Sequence, residues 1–224
     1  MAADTVTAPA RQEVLRRIRV ATGGAAETVS EIDAEWRAIP RNYVRAATSG
    51  REQIVELLED RLRDYDATVV RVAADQVAAQ VAEFLRARGK QRVVVPEGLA
   101  EALGEPLPDG FEFVLDNCLS PVELDGMDGV VTASTLAVAQ TGTIVLQHVP
   151  GQGRRAPTLV PDYHLCIVRI ADIVETIPEA MVRLQPMASL ATTFISGPSA
   201  TADIEMTRIK GVHGPRFLDV ILVD

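Results

Sequence analysis

Between Ser49 and Pro96 the chain runs through one local grammar twice. The stretch "SGREQIVELLEDRLRDYDATVVRVA" carries Ile54, Leu57, Leu58, Leu62 and Tyr65 at helical spacing and passes directly into the β-branched run "TVVRV". "ADQVAAQVAEFLRARGK" then repeats the helical pattern and leads into "RVVVP". An apolar stripe with helical period, followed by a short unbroken apolar run, reads as a helix packed on one face and a strand buried on both. Strand, helix and strand in that order imply a parallel pair with a crossover. The punctuation agrees: Ser49 with Glu52 matches a capping box, Asp75 is placed to cap the second helix, and Gly89 to end it.

Further strands are predicted in "FEFVLD" from Phe111, "VVTA", "TIVLQHV", "HLCIVRI", "ATTFI" and "FLDVILV", with a short helix opened by Ser120 and Pro121 and another in "IPEAMVRL". The count is about eight strands and four or five helices, alternating early and connecting strand to strand late. The expectation is an α/β fold: a mixed, largely parallel sheet flanked by helices. Residues 1–48 read as an N-terminal helical arm and 49–224 as the α/β domain. Trp36 and Tyr43 are expected either to pack ordinarily or to clip the arm onto the body or another subunit.

Composition narrows function. The apolar residues, 47% of the 224, are mostly aliphatic, and aromatics make up 4%, too few for a base-stacking platform. A net charge of -9 repels phosphodiester backbones, so no nucleic acid partner is expected. Cys118 and Cys166 are far apart, without a C-x-x-C or a metal-ligand cluster. No metal site is therefore expected, and an iron–sulfur cluster, which needs about four thiolates, cannot be held by this chain alone. No apolar run reaches the roughly 18 residues of a membrane span, the N-terminus lacks a secretory core, and the reading is cytoplasmic.

Chemistry-bearing residues gather in the second half. No P-loop is present, and the early strand–helix junctions lack G-x-G-x-x-G. "AQTGTIVL" sets Thr141, Gly142 and Thr143 at a turn, where glycine permits close approach of a ligand and the hydroxyls donate; a plain hairpin turn explains them equally. "GQGRRAPTLVPDYH" offers Arg154 and Arg155 for a carboxylate or phosphate, with His164 able to face the same pocket. In "FISGPSATADIE", Gly197 and Pro198 break the strand, and Ser196, Ser199 and Thr201 mark a turn whose amides suit an anion. Asp203 and Glu205, two apart, point opposite ways if extended, so at most one faces a site. "GVHGPR" adds Arg216 and His213, the candidate proton-transfer residue.

Taken in order, "AQTGTIVL", "GRRAPTLVPDYHLCIV", "ISGPSATADIE" and "GVHGPRFLDVILVD" resemble the LUD-domain family of lactate-utilisation proteins, the LutC/YkgG group, over roughly Tyr65–Asp224. The resemblance implies a fold similar to the NagB/RpiA/CoA-transferase group. It also implies membership of a cytoplasmic system oxidising L-lactate to pyruvate, with iron–sulfur clusters on partner subunits and no cofactor in this chain. Many relatives have Arg where this chain has Ala200, leaving Arg216, Arg154 and Arg155 as candidate anion-binding cations. The segments are expected to converge at one mouth of the sheet, where open α/β folds usually bind ligands. There Arg216 or Arg154 would hold a small carboxylate and His213 would accept the hydroxyl proton. Two alternatives stand beside this: a sugar-phosphate or CoA-ester enzyme, and a non-catalytic assembly or regulatory protein.

Overall fold

The structure is a computed structural model describing residues 7–22, 28–104, 106–201, 209–211 and 213–224. It divides into two compact units, Met1–Tyr43 and Val44–Asp224.

The first unit holds helices α1 (Thr7–Ala21) and α2 (Val29–Ala38). Thr28 caps α2 reciprocally, its Oγ1 accepting from Glu31 N and its own N–H donating to the Glu31 carboxylate at 2.7 Å. Trp36 carries the Arg41 guanidinium 4.8 Å from its ring centre and is otherwise 65% exposed.

The second unit begins its regular structure with α3 (Arg51–Asp64), β1 (Thr68–Val72), α4 (Val77–Ala87) and β2 (Arg92–Val95). Next come α5 (Leu99–Leu103), β3 (Glu112–Leu115), α6 (Pro121–Asp125), β4 (Gly129–Thr132), β5 (Leu136–Val138), β6 (Thr143–Gln147) and β7 (Tyr163–Arg169). The chain ends with β8 (Ile173–Val174), α7 (Ile177–Leu184), β9 (Thr192–Ile195), β10 (Ala200–Thr201), β11 (Ile209–Lys210) and β12 (Phe217–Val223). No helix among the described residues is long and apolar enough to cross a membrane.

Six strands form a wholly parallel sheet in the order β1-β12-β7-β4-β2-β3, so the last strand of the chain inserts beside the first. The late strands build a second sheet, β8-β5-β6-β9, in which only β5 and β8 run parallel. The α/β class expected from the early alternation is thus observed, with the direct late connections accounting for the separate antiparallel part. On one face of the large sheet, Val81 and Leu85 of α4 pack over Leu165, Ile167 and Ile221. On the other, Leu58 and Leu62 of α3 share a core with Cys166, Val168 and Val220 and with Ile144 and Leu146 of the second sheet. Burial on both faces explains why β7 and β12 are almost unbroken apolar runs.

Asp219, the one charged residue of β12, is fully buried and accepts from Arg88 Nε (2.9 Å), Arg88 Nη2 (2.6 Å) and the Tyr163 hydroxyl (2.9 Å). Such donors are what make a buried carboxylate tolerable.

Two capping expectations are corrected. Ser49 does not cap α3. The cap position is Gly50, whose N–H donates to Gln53 Oε1 at 3.0 Å. Ser49 N, Ser49 Oγ and Thr48 N instead all donate to the Glu175 carboxylate, at 3.1, 3.0 and 2.6 Å. A carboxylate receiving several donors outcompetes a hydroxyl cap, and those amide bonds hold Glu175 below the usual carboxylate range. Asp75 lies within a 3-10 turn, Ala74–Gln76, and α4 starts without a side-chain cap. Gly89, at φ +63°, and Ser120, with its Pro121, play their expected parts.

Candidate functional site

The amino ends of β7 and β12 create a recess. His164 and Leu218, each the second residue of its strand, are register partners, so their side chains share the face toward α3 and the second sheet. Before β7, the turn at Ala156–Thr158 lifts Arg155 and Thr158 to its edge. From the end of β9 come Phe194, Ile195 and Ser196, and beyond them two loops are stitched together. Ser199 N–H donates to the Pro215 carbonyl at 2.8 Å, Gly211 N–H to the Ser199 carbonyl at 2.9 Å, and His213 N–H to Ser199 Oγ at 3.0 Å. Together they enclose a cavity of about 240 Å³.

Six of the residues nominated from sequence stand in its wall: Arg155, His164, Ser196, Gly197, Ser199 and His213. Thr143 and Thr141 lie behind it, joined by hydroxyl bonds running Ser196 Oγ to Thr143 Oγ1 (2.8 Å) to Thr141 Oγ1 (2.7 Å). They support Ser196 at the hairpin turn between β5 and β6. Gly142 approaches a helix rather than a ligand, since a Cβ there would sit 2.9 Å from Cβ and 3.1 Å from the carbonyl carbon of Arg61. Gly197, at φ +79°, makes room in the same way for Tyr65. Asp203 and Glu205 fall outside the described residues. Of Thr201 only the backbone is described, paired with Ile209 in a two-stranded ribbon.

Two arginines expected to hold a ligand clasp the chain's own acids. Arg154 binds Asp116 through Nε (2.7 Å) and Nη2 (2.8 Å) and donates to the Leu119 carbonyl at 2.6 Å. It borders a neighbouring cavity of about 150 Å³, which shares Arg155 and Thr158 with the first. Arg216 binds Asp162 through Nε (2.6 Å) and Nη2 (2.8 Å), outside the cavity wall. In each case an acid within reach supplies the bidentate partner that a ligand would have supplied.

Arg155 is different. Its Nη1 donates to Thr158 Oγ1 at 2.9 Å, and among the described residues no carboxylate pairs with it. Desolvation lowers its pKa, yet a guanidinium keeps its charge in any protein setting. Among the described residues lining the cavity there is no Asp or Glu. The Ser199 amide, expected to serve an anion, is taken by the Pro215 carbonyl.

His164 is 2% exposed, and its Nε2 lies 2.8 Å from Thr132 Oγ1. Burial, and then the Arg155 charge, push its pKa down to about 3, so the imidazole is neutral at physiological pH. Thr132 also reaches the Cys166 thiol, at 3.7 Å, which burial pushes up to about 12. His213 is an exposed rim residue. No cluster of three or more His, Cys, Asp or Glu able to hold a metal occurs among the described residues.

The recess lies at the amino ends of the strands, not at the carboxyl ends where open α/β sheets usually bind. The reason is in the chain order. The polar loops at 154–158 and 213–215 precede β7 and β12, so parallel strands place them at the start of the sheet. Sequence reasoning passed over four residues of this region. Thr158 and Phe194 sit inside stretches already singled out, whereas Thr132 and Leu218 lie in strands with no local signal beyond their register.

A LUD domain model matches residues 122–223, a segment containing every described residue of the cavity wall. Over 220 residues the chain is 39% identical to "Lactate utilization protein C" of Deinococcus radiodurans, covering 97% of this chain and 97% of that one. The chain belongs to the LUD-domain lactate utilization protein C family. A more distant relative, the lactate utilization protein C of Shouchella clausii, is 25% identical over 226 residues, covering 96% of this chain and 97% of its own. A solved crystal structure described as a DUF162 family protein from Deinococcus radiodurans matches with a TM-score of 0.68 at 36% identity, over 79% of this chain and 99% of that chain. The cavity lies within the matched segment, whereas α3, β1, α4, β2 and β3 precede it.

Proposed function

We propose that this LUD protein serves lactate utilisation by binding a small monocarboxylate in the 240 Å³ cavity, with Arg155 as the carboxylate's counter-ion. The observation that carries this reading is a chain of net charge -9 with a recess lined, among its described residues, by one arginine free of any carboxylate and by no acid. The hydroxyls of Ser196, Ser199 and Thr158 surround the same space. The volume is below the roughly 300–1,000 Å³ of pockets for drug-sized ligands, which suits a three-carbon acid. In this reading the protein works with partner subunits whose iron–sulfur clusters take two electrons as L-lactate, losing two protons, becomes pyruvate. His213, at the rim, is the solvent-facing candidate for carrying a proton away.

The test is a thermal-shift series on the whole chain. L-lactate or pyruvate at 100 times its dissociation constant stabilises by about 2.7 kcal/mol, and Arg155→Met abolishes the shift while remaining folded. Stabilisation by sugar phosphates or CoA alone, or an unchanged lactate shift in Arg155→Met, overturns the reading. Reconstitution with cluster-bearing partners adds the functional arm: lactate-dependent dye reduction falls to background without this chain.

A further inference from the structure

His164 stands apart from the other groups at the cavity. It is the most buried titratable residue there, and it presents a ring edge rather than a charge. Its Nε2 is held by Thr132 at 2.8 Å, while Nδ1 has no bond to any described residue. Among the described residues no side-chain nitrogen or oxygen is both sealed off and unbonded, so Nδ1 opens onto the cavity that His164 lines.

The neighbours decide what Nδ1 offers. Thr132 has one hydroxyl proton and two contacts, His164 Nε2 and the Cys166 sulfur at 3.7 Å. When that proton is directed to sulfur, the hydroxyl oxygen accepts from Nε2–H and both contacts are satisfied. Nδ1 then carries a lone pair. The positive charge of Arg155, close enough to act on the ring, favours the same tautomer, since it disfavours a second N–H facing the cavity. A fixed cation and a fixed neutral acceptor thus face one small space, and Phe194 and Leu218 supply apolar surface beside them.

We infer that His164 is the specificity-determining residue of this cavity: its Nδ1 accepts a hydrogen bond from the 2-hydroxyl of a ligand whose carboxylate is held by Arg155, so that a 2-hydroxy acid is selected over a 2-oxo acid and over an unsubstituted acid. The inference rests on the carboxylate-site reading above and goes further by naming which acid fits. A ketone brings only lone pairs toward a lone pair, and an alkyl group brings nothing to bond; a hydroxyl brings the donor that a buried acceptor needs.

Calorimetric titration of the whole chain with L-lactate, pyruvate and propionate at pH 7.5 tests it. Lactate binds about tenfold more tightly than propionate and than pyruvate, the effect of one net hydrogen bond. Thr132→Val removes the group that fixes the tautomer while keeping the ring, and the lactate preference narrows to about two- to threefold. Equal affinities for lactate and propionate in the wild-type protein overturn the inference and leave carboxylate binding by Arg155 standing; no binding of any of the three acids removes both. Nitrogen-15 spectra of the imidazoles give a second readout that needs no mutation. His164 shows the Nε2–H tautomer, and its Nδ1 signal moves on adding lactate but not propionate. An Nδ1–H tautomer overturns the inference directly.

Discussion

His164→Asn tests the electrostatics of the cavity without any ligand. In the folded chain this imidazole stays neutral down to a pKa of about 3, because it is buried and faces the Arg155 charge. In the unfolded chain it returns to the ordinary histidine value of about 6.5. Between those values the unfolded state binds the extra proton, so the depressed pKa makes stability fall as pH falls, by up to about 1.4 kcal/mol per pH unit. From pH 7 to pH 5 the integrated loss is about 2 kcal/mol, small at the start and nearly linear below pH 6. Asparagine does not titrate, so the variant lacks this loss. Carboxylates that also weaken the fold in acid contribute equally to both proteins and cancel in the difference. Urea unfolding at pH 7, 6 and 5 measures it: the stability margin of wild type over His164→Asn shrinks by about 2 kcal/mol across the series. A constant margin would mean that His164 titrates as a solvated histidine, and the account of a buried neutral acceptor would fail.

Two further expectations concern residues the sequence singles out for ligand chemistry. Gly197→Ala places a Cβ 2.4 Å from Tyr65 Cβ at φ +79°, and destabilises by about 3 kcal/mol through combined backbone and packing strain; Gly89→Ala, at φ +63° with nothing within 4 Å, costs about 1 kcal/mol, and urea midpoints for the pair separate crowding from conformation. Arg154→Met leaves the Asp116 carboxylate, whose side chain is 4% exposed, without its guanidinium and destabilises by about 2–3 kcal/mol, whereas Arg216→Met at an exposed pair leaves the urea midpoint unchanged. The reverse order would overturn this contrast between the buried and the exposed pair.

The fold was legible where one local pattern had one physical meaning. The stripe Ile54, Leu58, Leu62 reads as a helix face and the runs "TVVRV" and "RVVV" as strands, and these are α3, β1 and β2; β2 is buried beyond its first residue, whereas β1, at the sheet edge, is mostly half-buried. What stayed hidden depended on distant partners. Nothing near Ser49 announces that Glu175, 126 residues away, will claim its hydroxyl and amide in place of a helix cap. Nothing in "LAV" separates β5 from its surroundings until β6 and β8 flank it. For the cavity, the polar loops were legible as loops, and their convergence was expected. Their end of the sheet was in principle readable too, since loops that precede two parallel strands must lie at the amino ends. The division of labour among the arginines was not, because it is set by Asp116 and Asp162, acids that the sequence leaves 38 and 54 residues from their partners.

Under the proposed reading, that division lets an acidic protein build an anion site. Coulomb attraction is screened over about 8 Å at physiological ionic strength, so a bound ligand responds to the charges of its own recess and not to the total of -9. Arg154 and Arg216 are paired with Asp116 and Asp162. Among the described residues no carboxylate pairs with Arg155, an exposed side chain at the edge of the recess. One arginine without a carboxylate partner, in a described wall that holds no acid, suits the proposed monocarboxylate. On the proposed reading, the charge balance and the volume both fit a small monocarboxylate.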